Sequence, residues 1–249
     1  MADMAAKSVP VGPYSAPAML ARLTPPLAAA VLLLAACGEA APTTTAAPGS
    51  ISSAAYLAFR DQPTACGAEA PPAAAAMTFA APGDAGVQGP VQVILRTSCG
   101  PVILRLDPAT APETVNSFVF LARQGYFDGT VSHRVVPGFV FQAGDPTATG
   151  LGSPGYTLPD EFPPADFAYT RGVVAMANTG APGSGGSQFF IALDDIGLPP
   201  GYTVFGEVVE GLDVLDRIAS LPMGPNPPDS RNSRPLETVY LDRVEVVGG

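Results

Sequence analysis

Residues 133–142 of the chain read HRVVPGFVFQ, and two shorter stretches follow, MAN at 176–178 and SQFFI at 187–191. They place an arginine, amides and aromatic rings on segments with the apolar content of β-strands. None of these stretches carries a carboxylate or a group of metal ligands. Such a set of side chains suits a reaction in which no covalent bond is broken.

The three stretches, in this order, resemble the cyclophilin family of peptidyl-prolyl cis-trans isomerases. The resemblance extends over residues 91–247, and it includes Gly144-Asp145 and the segment YTVFG at 202–206. It implies a mainly β fold, a closed antiparallel eight-stranded β-barrel capped by two α-helices. Many short strand-like runs with two helical segments between them favour the same architecture.

The apolar pattern predicts where these elements lie. Residues 91–98 and 102–106 are strand-like runs joined by the short connection CGP, which predicts a hairpin. The segment TAPE at 110–113 has the pattern of a capping box and predicts the start of a helix that Gly125 ends. The apolar face of that helix comprises Val115, Phe118, Val119 and Ala122. Further strands are predicted at 131–136, 139–143, 171–177, 188–193, 202–208 and 237–247, and a second helix is predicted around Leu212, Leu215 and Ile218.

The chemistry that the resemblance implies centres on Arg134. Rotation about an X-Pro bond has a barrier of about 18–20 kcal/mol, because the prolyl nitrogen shares its lone pair with the carbonyl. A fixed hydrogen-bond donor aimed at that nitrogen finds a good acceptor only once the bond is twisted, so it stabilises the transition state more than the ground state. Without the resemblance, Arg134 would be interpreted as a surface or structural ion-pair arginine.

The resemblance also implies which residues surround the arginine. Phe139 and Gln142 join Arg134 as catalytic residues. The substrate-binding set comprises Val140, Met176, Ala177, Asn178, Gln188, Phe190, Leu198 and Tyr202. Strict alternation along a strand would separate Phe139 from Gln142, so a bend near Pro137-Gly138 is expected. The alternative interpretation of each aromatic residue is ordinary barrel core.

No cofactor and no metal site are expected. Three scattered cysteines and a single histidine do not form a zinc-binding pattern. The glycine-rich segment 180–187 lacks the lysine of a phosphate-binding loop and is interpreted as a wall of the groove. His133 would face away from Arg134, so it is interpreted as a packed, hydrogen-bonded structural residue.

The chain departs from the family pattern beside the pocket. Gly197 precedes Leu198 where many members carry tryptophan, and the sequence contains no tryptophan. The family's inhibitor cyclosporin uses that indole, so weak cyclosporin binding is expected. The expected partners are proline-containing polypeptides, and a monomer is expected.

The first 36 residues have the layout of a lipoprotein signal peptide, and Met19 is a possible true start. Arg22 precedes the apolar segment 27–36, which is too short for a membrane-spanning helix. The segment ends before Cys37 in a pattern that resembles the lipobox of bacterial lipoproteins, so lipidation of Cys37 is predicted. A signal for soluble export with an incidental cysteine is the alternative.

The expected organisation after the signal has three parts. Residues 37–50 form a lipid-anchored tether rich in alanine, proline and threonine. Residues 51–90 form an extension of unknown role, and residues 91–249 form the isomerase domain. Cys66 and Cys99 remain as an even pair, so a disulfide between the extension and the barrel is predicted, with two buried thiols as the alternative.

Charge narrows the class of partner. The chain has 12 basic and 22 acidic residues and a formal net charge of −10. Binding to nucleic acid is therefore set aside, because it would bring like charges together.

The first functional hypothesis is an isomerase held on the outer face of a bacterial cell membrane by its lipid, where it assists the folding of exported or envelope proteins. The second is a proline-peptide docking module or holdase chaperone with little turnover. The third is a purely structural envelope lipoprotein, and an Arg134 packed against an internal carboxylate would favour it.

Overall fold

The structure is a computed structural model that describes residues 49–227 and 229–248. The predicted signal peptide, the lipidation site Cys37 and most of the tether lie outside these residues. No helix in the described ranges is long and apolar enough to cross a membrane.

The described chain forms strands and three α-helices. The strands are β1 Val91–Thr97, β2 Gly100–Leu106, β3 Thr130–Val131, β4 Arg134–Val136, β5 Val140–Ala143, β6 Val173–Met176, β7 Phe189–Ala192, β8 Val204–Glu210, β9 Met223–Gly224, β10 Arg234–Pro235 and β11 Tyr240–Val247. The helices are α1 Ala54–Arg60, α2 Pro112–Arg123 and α3 Leu212–Ala219. A short 3₁₀ turn covers Ala65–Gly67.

Nine strands form one curled antiparallel sheet in the order β3-β11-β1-β2-β8-β6-β7-β5-β4, and β9 pairs with β10 separately. The predicted hairpin is present, with Val91 opposite Leu106 and Thr97 opposite Gly100. Burial alternates along β1, where Val91, Val93 and Leu95 are buried. One face of the sheet therefore supplies the core.

The predicted closed barrel of eight strands is not confirmed, because the predicted strand 131–136 is divided. β3 pairs with β11, whereas β4 pairs with β5, and Ser132 and His133 lie between them. These two short strands are the two edges of the sheet, and no ladder joins them in the described residues. The result is an open nine-stranded sheet, and the fold remains mainly β. Both predicted helices are present as α2 and α3, and the described residues contain a third helix, α1, in the extension.

Helix α2 packs the predicted face against the sheet. Its Phe118 ring stacks on Phe127 at 4.9 Å and meets the edge of Phe189 at 5.3 Å. The predicted capping box is wrong, because the residue at the N-cap is Ala111 and makes no side-chain hydrogen bond. Instead Glu161 accepts hydrogen bonds from the backbone N–H groups of residues 113 and 114, at 3.0 and 2.9 Å. A distant carboxylate thus supplies both the acceptors and the negative charge that a helix N-terminus favours.

The extension 51–90 packs against the sheet through helix α1. Tyr56 and Phe59 are buried in an apolar cluster with Val131 and Tyr240. The Tyr56 hydroxyl donates to the carbonyl of Gly129 at 2.9 Å and accepts from the N–H of residue 74 at 2.8 Å. Cys66 and Cys99 form a disulfide that also joins the extension to the β1–β2 turn.

His133 is 6% exposed and packs inside the protein. Its Nδ1 atom has no hydrogen-bond partner among the described residues, so the predicted packing is found without the predicted hydrogen bond at that atom. Burial lowers its pKa below the ordinary value of 6.5, because a charged imidazolium would lose its water there. His133 is therefore neutral in the folded protein near neutral pH.

Replacing both Cys66 and Cys99 by alanine is expected to lower the free energy of unfolding by about 3–4 kcal/mol. The bond closes a loop across a sequence separation of 33 residues, and the loss of that constraint lets the unfolded chain gain entropy. Urea unfolding of the two forms measures the difference. The matched control is reducing agent, which should destabilise the wild type and leave the double variant unchanged.

Acid is expected to destabilise the fold through His133. Its folded pKa is lowered, so below pH 6.5 the unfolded chain takes up a proton that the folded chain does not. Between pH 7.5 and 5.5 the free energy of unfolding of the wild type should fall by up to about 1.4 kcal/mol more than that of His133→Gln. Urea unfolding at both pH values measures this, and equal losses in the two proteins would contradict a neutral buried His133.

Candidate active site

The β4–β5 hairpin brings the predicted catalytic residues together. Arg134 lies directly opposite Gln142 across the ladder, so their side chains share one face of the sheet. Val136 and Val140 form the last pair, and residues 137–139 make the turn. Gly138 takes a φ of +68°, a left-handed conformation that glycine adopts without strain. Phe139 thus belongs to the turn, which is the bend that strand alternation required.

A chain of side-chain hydrogen bonds crosses this face. Nη1 of Arg134 donates to Oε1 of Gln142 at 3.2 Å, and Nε2 of Gln142 donates to Oε1 of Gln188 at 3.1 Å. Nε2 of Gln188 then donates to the carbonyls of Gly150 and Gly152, at 3.0 and 3.1 Å. Each amide has a donor on one side and an acceptor on the other, so the orientation of both glutamines is fixed.

An apolar cluster lies beside these polar groups. Val140 and Phe190 belong to its buried part. The predicted pocket residues that pack against it and keep part of their surface exposed are Phe139, Ala177, Leu198 and Tyr202. The edge of one ring meets the face of the other between Phe190 and Tyr202, with centroids 5.3 Å apart.

Tyr169, which the sequence did not single out, fixes the position of Tyr202. The Tyr169 hydroxyl donates to the Tyr202 carbonyl at 2.8 Å and accepts from its N–H at 3.1 Å. The pocket wall that Tyr202 provides is therefore held by a buried side chain.

Two predicted substrate-binding residues are engaged elsewhere. Met176 is 3% exposed and belongs to the main core, so its side chain is not brought to the groove. The Asn178 amide donates to the Gly201 carbonyl at 2.8 Å and accepts from the N–H of Gly180 at 3.0 Å. Its side chain thus joins two loops at the edge of the groove.

Asp145 shapes the loop at the far end of the hydrogen-bond chain. It is fully buried, and it accepts from the N–H groups of Thr147, Gly150 and Gly152 at 2.7, 2.6 and 3.2 Å. These bonds fold the loop so that two of its carbonyls receive the Gln188 amide. In the sequence, Gly144-Asp145 was only part of the family resemblance, and this role of Asp145 was not predicted.

Asp229 is a second residue of the site that the sequence did not indicate. It lies 95 residues from Arg134, yet its two carboxylate oxygens accept from Nε and Nη2 of that arginine at 2.7 and 3.1 Å. The hydrogen bond from Arg134 lowers the pKa of Asp229 below its usual range. About a quarter of each side chain is exposed, 23% for Arg134 and 25% for Asp229, so this carboxylate is not the internal one that would mark a purely structural arginine.

The arrangement provides a positioned cationic donor next to an apolar pocket. The guanidinium carbons of Arg134 and Arg231 lie 5.9 and 5.2 Å from the centroid of the Phe139 ring. Within residues 49–227 and 229–248, no three His, Cys, Asp or Glu side chains are grouped as metal ligands. These groups can hold a ring and donate hydrogen bonds, which is what rotation about a bond requires.

Comparison with known proteins agrees with this geometry. The family model described as cyclophilin type peptidyl-prolyl cis-trans isomerase matches residues 92–246. Peptidyl-prolyl cis-trans isomerase B of Streptomyces anulatus is 41% identical over 171 residues, which cover 61% of this chain and 94% of that protein. Peptidyl-prolyl cis-trans isomerase-like 1 of Gibberella zeae is 37% identical over 159 residues, which cover 62% of this chain and 94% of the relative.

Solved structures show the same fold. A cyclophilin type peptidyl-prolyl cis-trans isomerase of Cryptosporidium parvum superposes with a TM-score of 0.59 at 28% identity, covering 64% of this chain and 99% of the other. The same protein solved in the presence of the dipeptide Ala-Pro gives a TM-score of 0.57 at 27% identity and covers the same shares. The family model spans well over half of the chain, so the chain belongs to the cyclophilin-type peptidyl-prolyl cis-trans isomerase family.

Proposed function

We propose that this isomerase rotates X-Pro bonds of exported or envelope proteins, with Arg134 as the hydrogen-bond donor to the prolyl nitrogen. The observation that carries the proposal is the hydrogen bonding of the Arg134 guanidinium group. It has five N–H groups, and three of them bond to Asp229 and Gln142. Two N–H groups have no partner within the described residues, and they remain for a substrate.

The free donors act on the twisted bond. A prolyl nitrogen in a planar amide is a poor acceptor, because its lone pair is delocalised into the carbonyl. As the bond twists, the lone pair localises and a hydrogen bond to it strengthens, which lowers the barrier. Removing one preorganised donor of this kind costs about 10²–10³ in rate in other enzymes.

The apolar cluster holds the ring while the peptide on its N-terminal side rotates. Phe139, Leu198 and Tyr202 keep part of their surface exposed beside buried Phe190, so a proline ring can contact an aromatic wall. Gln142 and Gln188 present amides along the same face for the substrate backbone. The Ala-Pro dipeptide used with the Cryptosporidium parvum protein supports a proline-containing peptide as the ligand.

The location of the reaction is the outer face of a bacterial membrane, with the protein anchored through lipid on Cys37. The apolar segment before Cys37 supports this, and so does the disulfide, because such bonds persist in oxidising compartments. Mass spectrometry of the full chain recovered from a lipoprotein-processing bacterium tests it. Acylation of Cys37 and release of a Cys37→Ser variant from membranes are expected. An unacylated wild type cleaved at another site would support soluble export.

A proline-peptide docking module or holdase is the second candidate, and the Asp229 pair favours it. A carboxylate bonded to Arg134 offsets part of the positive charge that would stabilise a localising lone pair. Such a module would bind proline peptides in the same pocket with little turnover.

Arg134→Ala is expected to lower kcat/KM for a short Ala-Pro peptide by a factor of about 10² or more, which is roughly 2.7 kcal/mol of transition-state stabilisation. Arg134→Lys should recover little of this, because lysine lacks the planar fork of donors. Arg171→Ala is the matched control, since Arg171 makes a similar pair with Asp216 at an exposed site. If the wild type and Arg134→Ala both bind the peptide and isomerise it equally slowly, the docking module is established instead.

Cyclosporin sensitivity is expected to be weak in the wild type and to rise in Gly197→Trp. A Cβ atom at Gly197 would meet no other atom within 4 Å, so a larger side chain can begin there without displacing the backbone. Inhibition of isomerase activity by cyclosporin measures the change, and the gain should reach about tenfold or more. Gly201→Trp is the control, because that position is equally open. Equal inhibition of wild type and Gly197→Trp would contradict the role given to this position.

A further inference from the structure

The loop between β9 and β10 is fastened to the strand that carries Arg134. Nδ2 of Asn226 donates to the carbonyl of His133 at 3.3 Å, and the carbonyl of Ser233 accepts from the N–H of Val135 at 2.7 Å. The loop therefore bonds to both sequence neighbours of Arg134. A segment held on both sides of one residue has a defined position relative to that residue's side chain.

Asp229 is itself held within this loop. Its Oδ2 atom accepts from the hydroxyl of Ser233 at 2.5 Å, and its backbone N–H donates to the carbonyl of Asn226 at 2.8 Å. Ser233 is fully buried, and its hydroxyl also accepts from Nδ2 of Asn226 at 3.0 Å. The loop thus orients the carboxylate through contacts other than the one with Arg134.

The guanidinium group is then held from two directions. Asp229 accepts hydrogen bonds from Nε and Nη2, and Gln142 accepts one from Nη1. A bidentate contact to a planar group fixes its tilt as well as its position. The directions of the unbonded N–H groups are consequently fixed, which a single contact from Gln142 would not ensure.

We infer that Asp229 is a positioning residue for the isomerase reaction, holding the Arg134 guanidinium so that its free N–H groups face the prolyl nitrogen. The inference rests on the proposed function of Arg134. The carboxylate also offsets some positive charge, but both side chains are about a quarter exposed, where water screens that effect. Orientation outweighs the loss of charge, because misplacing a catalytic group by a small distance costs a large factor in rate.

The test compares Asp229→Asn, Asp229→Ala and Asp229→Glu in the full chain. Asparagine and alanine should lower kcat for an Ala-Pro peptide by about tenfold and leave KM within a factor of about two, because the lost contact orients the Arg134 donor that acts on the twisted bond. Glutamate should recover part of the rate. The resonance of the Arg134 Nε–H group in nitrogen-15 NMR should be protected from exchange in wild type and unprotected in Asp229→Asn.

Two controls separate this from general damage. Asp216→Asn removes the carboxylate whose two oxygens accept from Nη2 of Arg171 at an exposed site, and should leave kcat unchanged. Ser233→Ala keeps the carboxylate but removes the hydroxyl that orients it, and should give a smaller loss of kcat. This variant also provides the test if Asp229→Ala does not fold.

The outcomes are distinct. An unchanged kcat in Asp229→Asn, with Arg134→Ala strongly impaired, overturns the positioning role and leaves the proposed function intact. A higher kcat in Asp229→Asn also overturns it, because the pair would then restrain the arginine. If Arg134→Ala is as active as wild type, the proposed function fails and the inference fails with it. A lower kcat with loss of Nε–H protection supports the inference.

Discussion

A continuous chain of hydrogen bonds organises the functional face of this protein. It begins at Asp229, passes through Arg134, Gln142 and Gln188, and ends on the carbonyls of the loop 150–152. Gln142 and Gln188 each donate and accept, and Arg134 and Asp229 carry opposite charges. The rotation of an X-Pro bond needs no proton transfer, so what the protein must provide is the fixed direction of a few donors, and this chain provides it.

The sheet makes the chain possible. Strands β4, β5 and β7 are consecutive in the sheet. Arg134, Gln142 and Gln188, which directly precedes β7, therefore lie close together. Phe189 and Ile191 point to the main core, whereas Phe190 faces the apolar cluster that forms the pocket. The polar chain and the pocket are therefore adjacent because side chains alternate along β7.

Local patterns predicted most of the scaffold, and contacts between distant segments explain what they missed. The face of α2 follows from its own periodicity, but its cap comes from Glu161, which no local pattern relates to that helix. The strand predicted at 131–136 has the right composition, yet residues 132 and 133 divide it between two edges of the sheet. Met176 lies next to groove residues in sequence and points to the core. Asp229 sits in a polar loop whose sequence gives no sign of Arg134.

The most direct measurement is the rate of cis-trans interconversion of an Ala-Pro peptide while it is bound, obtained by NMR exchange for wild type and Arg134→Ala. This rate separates rotation from binding, which steady-state kinetics combines. If Arg134 is the donor, rotation on the wild-type protein is fast and falls by about 10² or more in the variant, while the affinity for the peptide changes little. Equal rotation rates in the two proteins would contradict catalysis by Arg134.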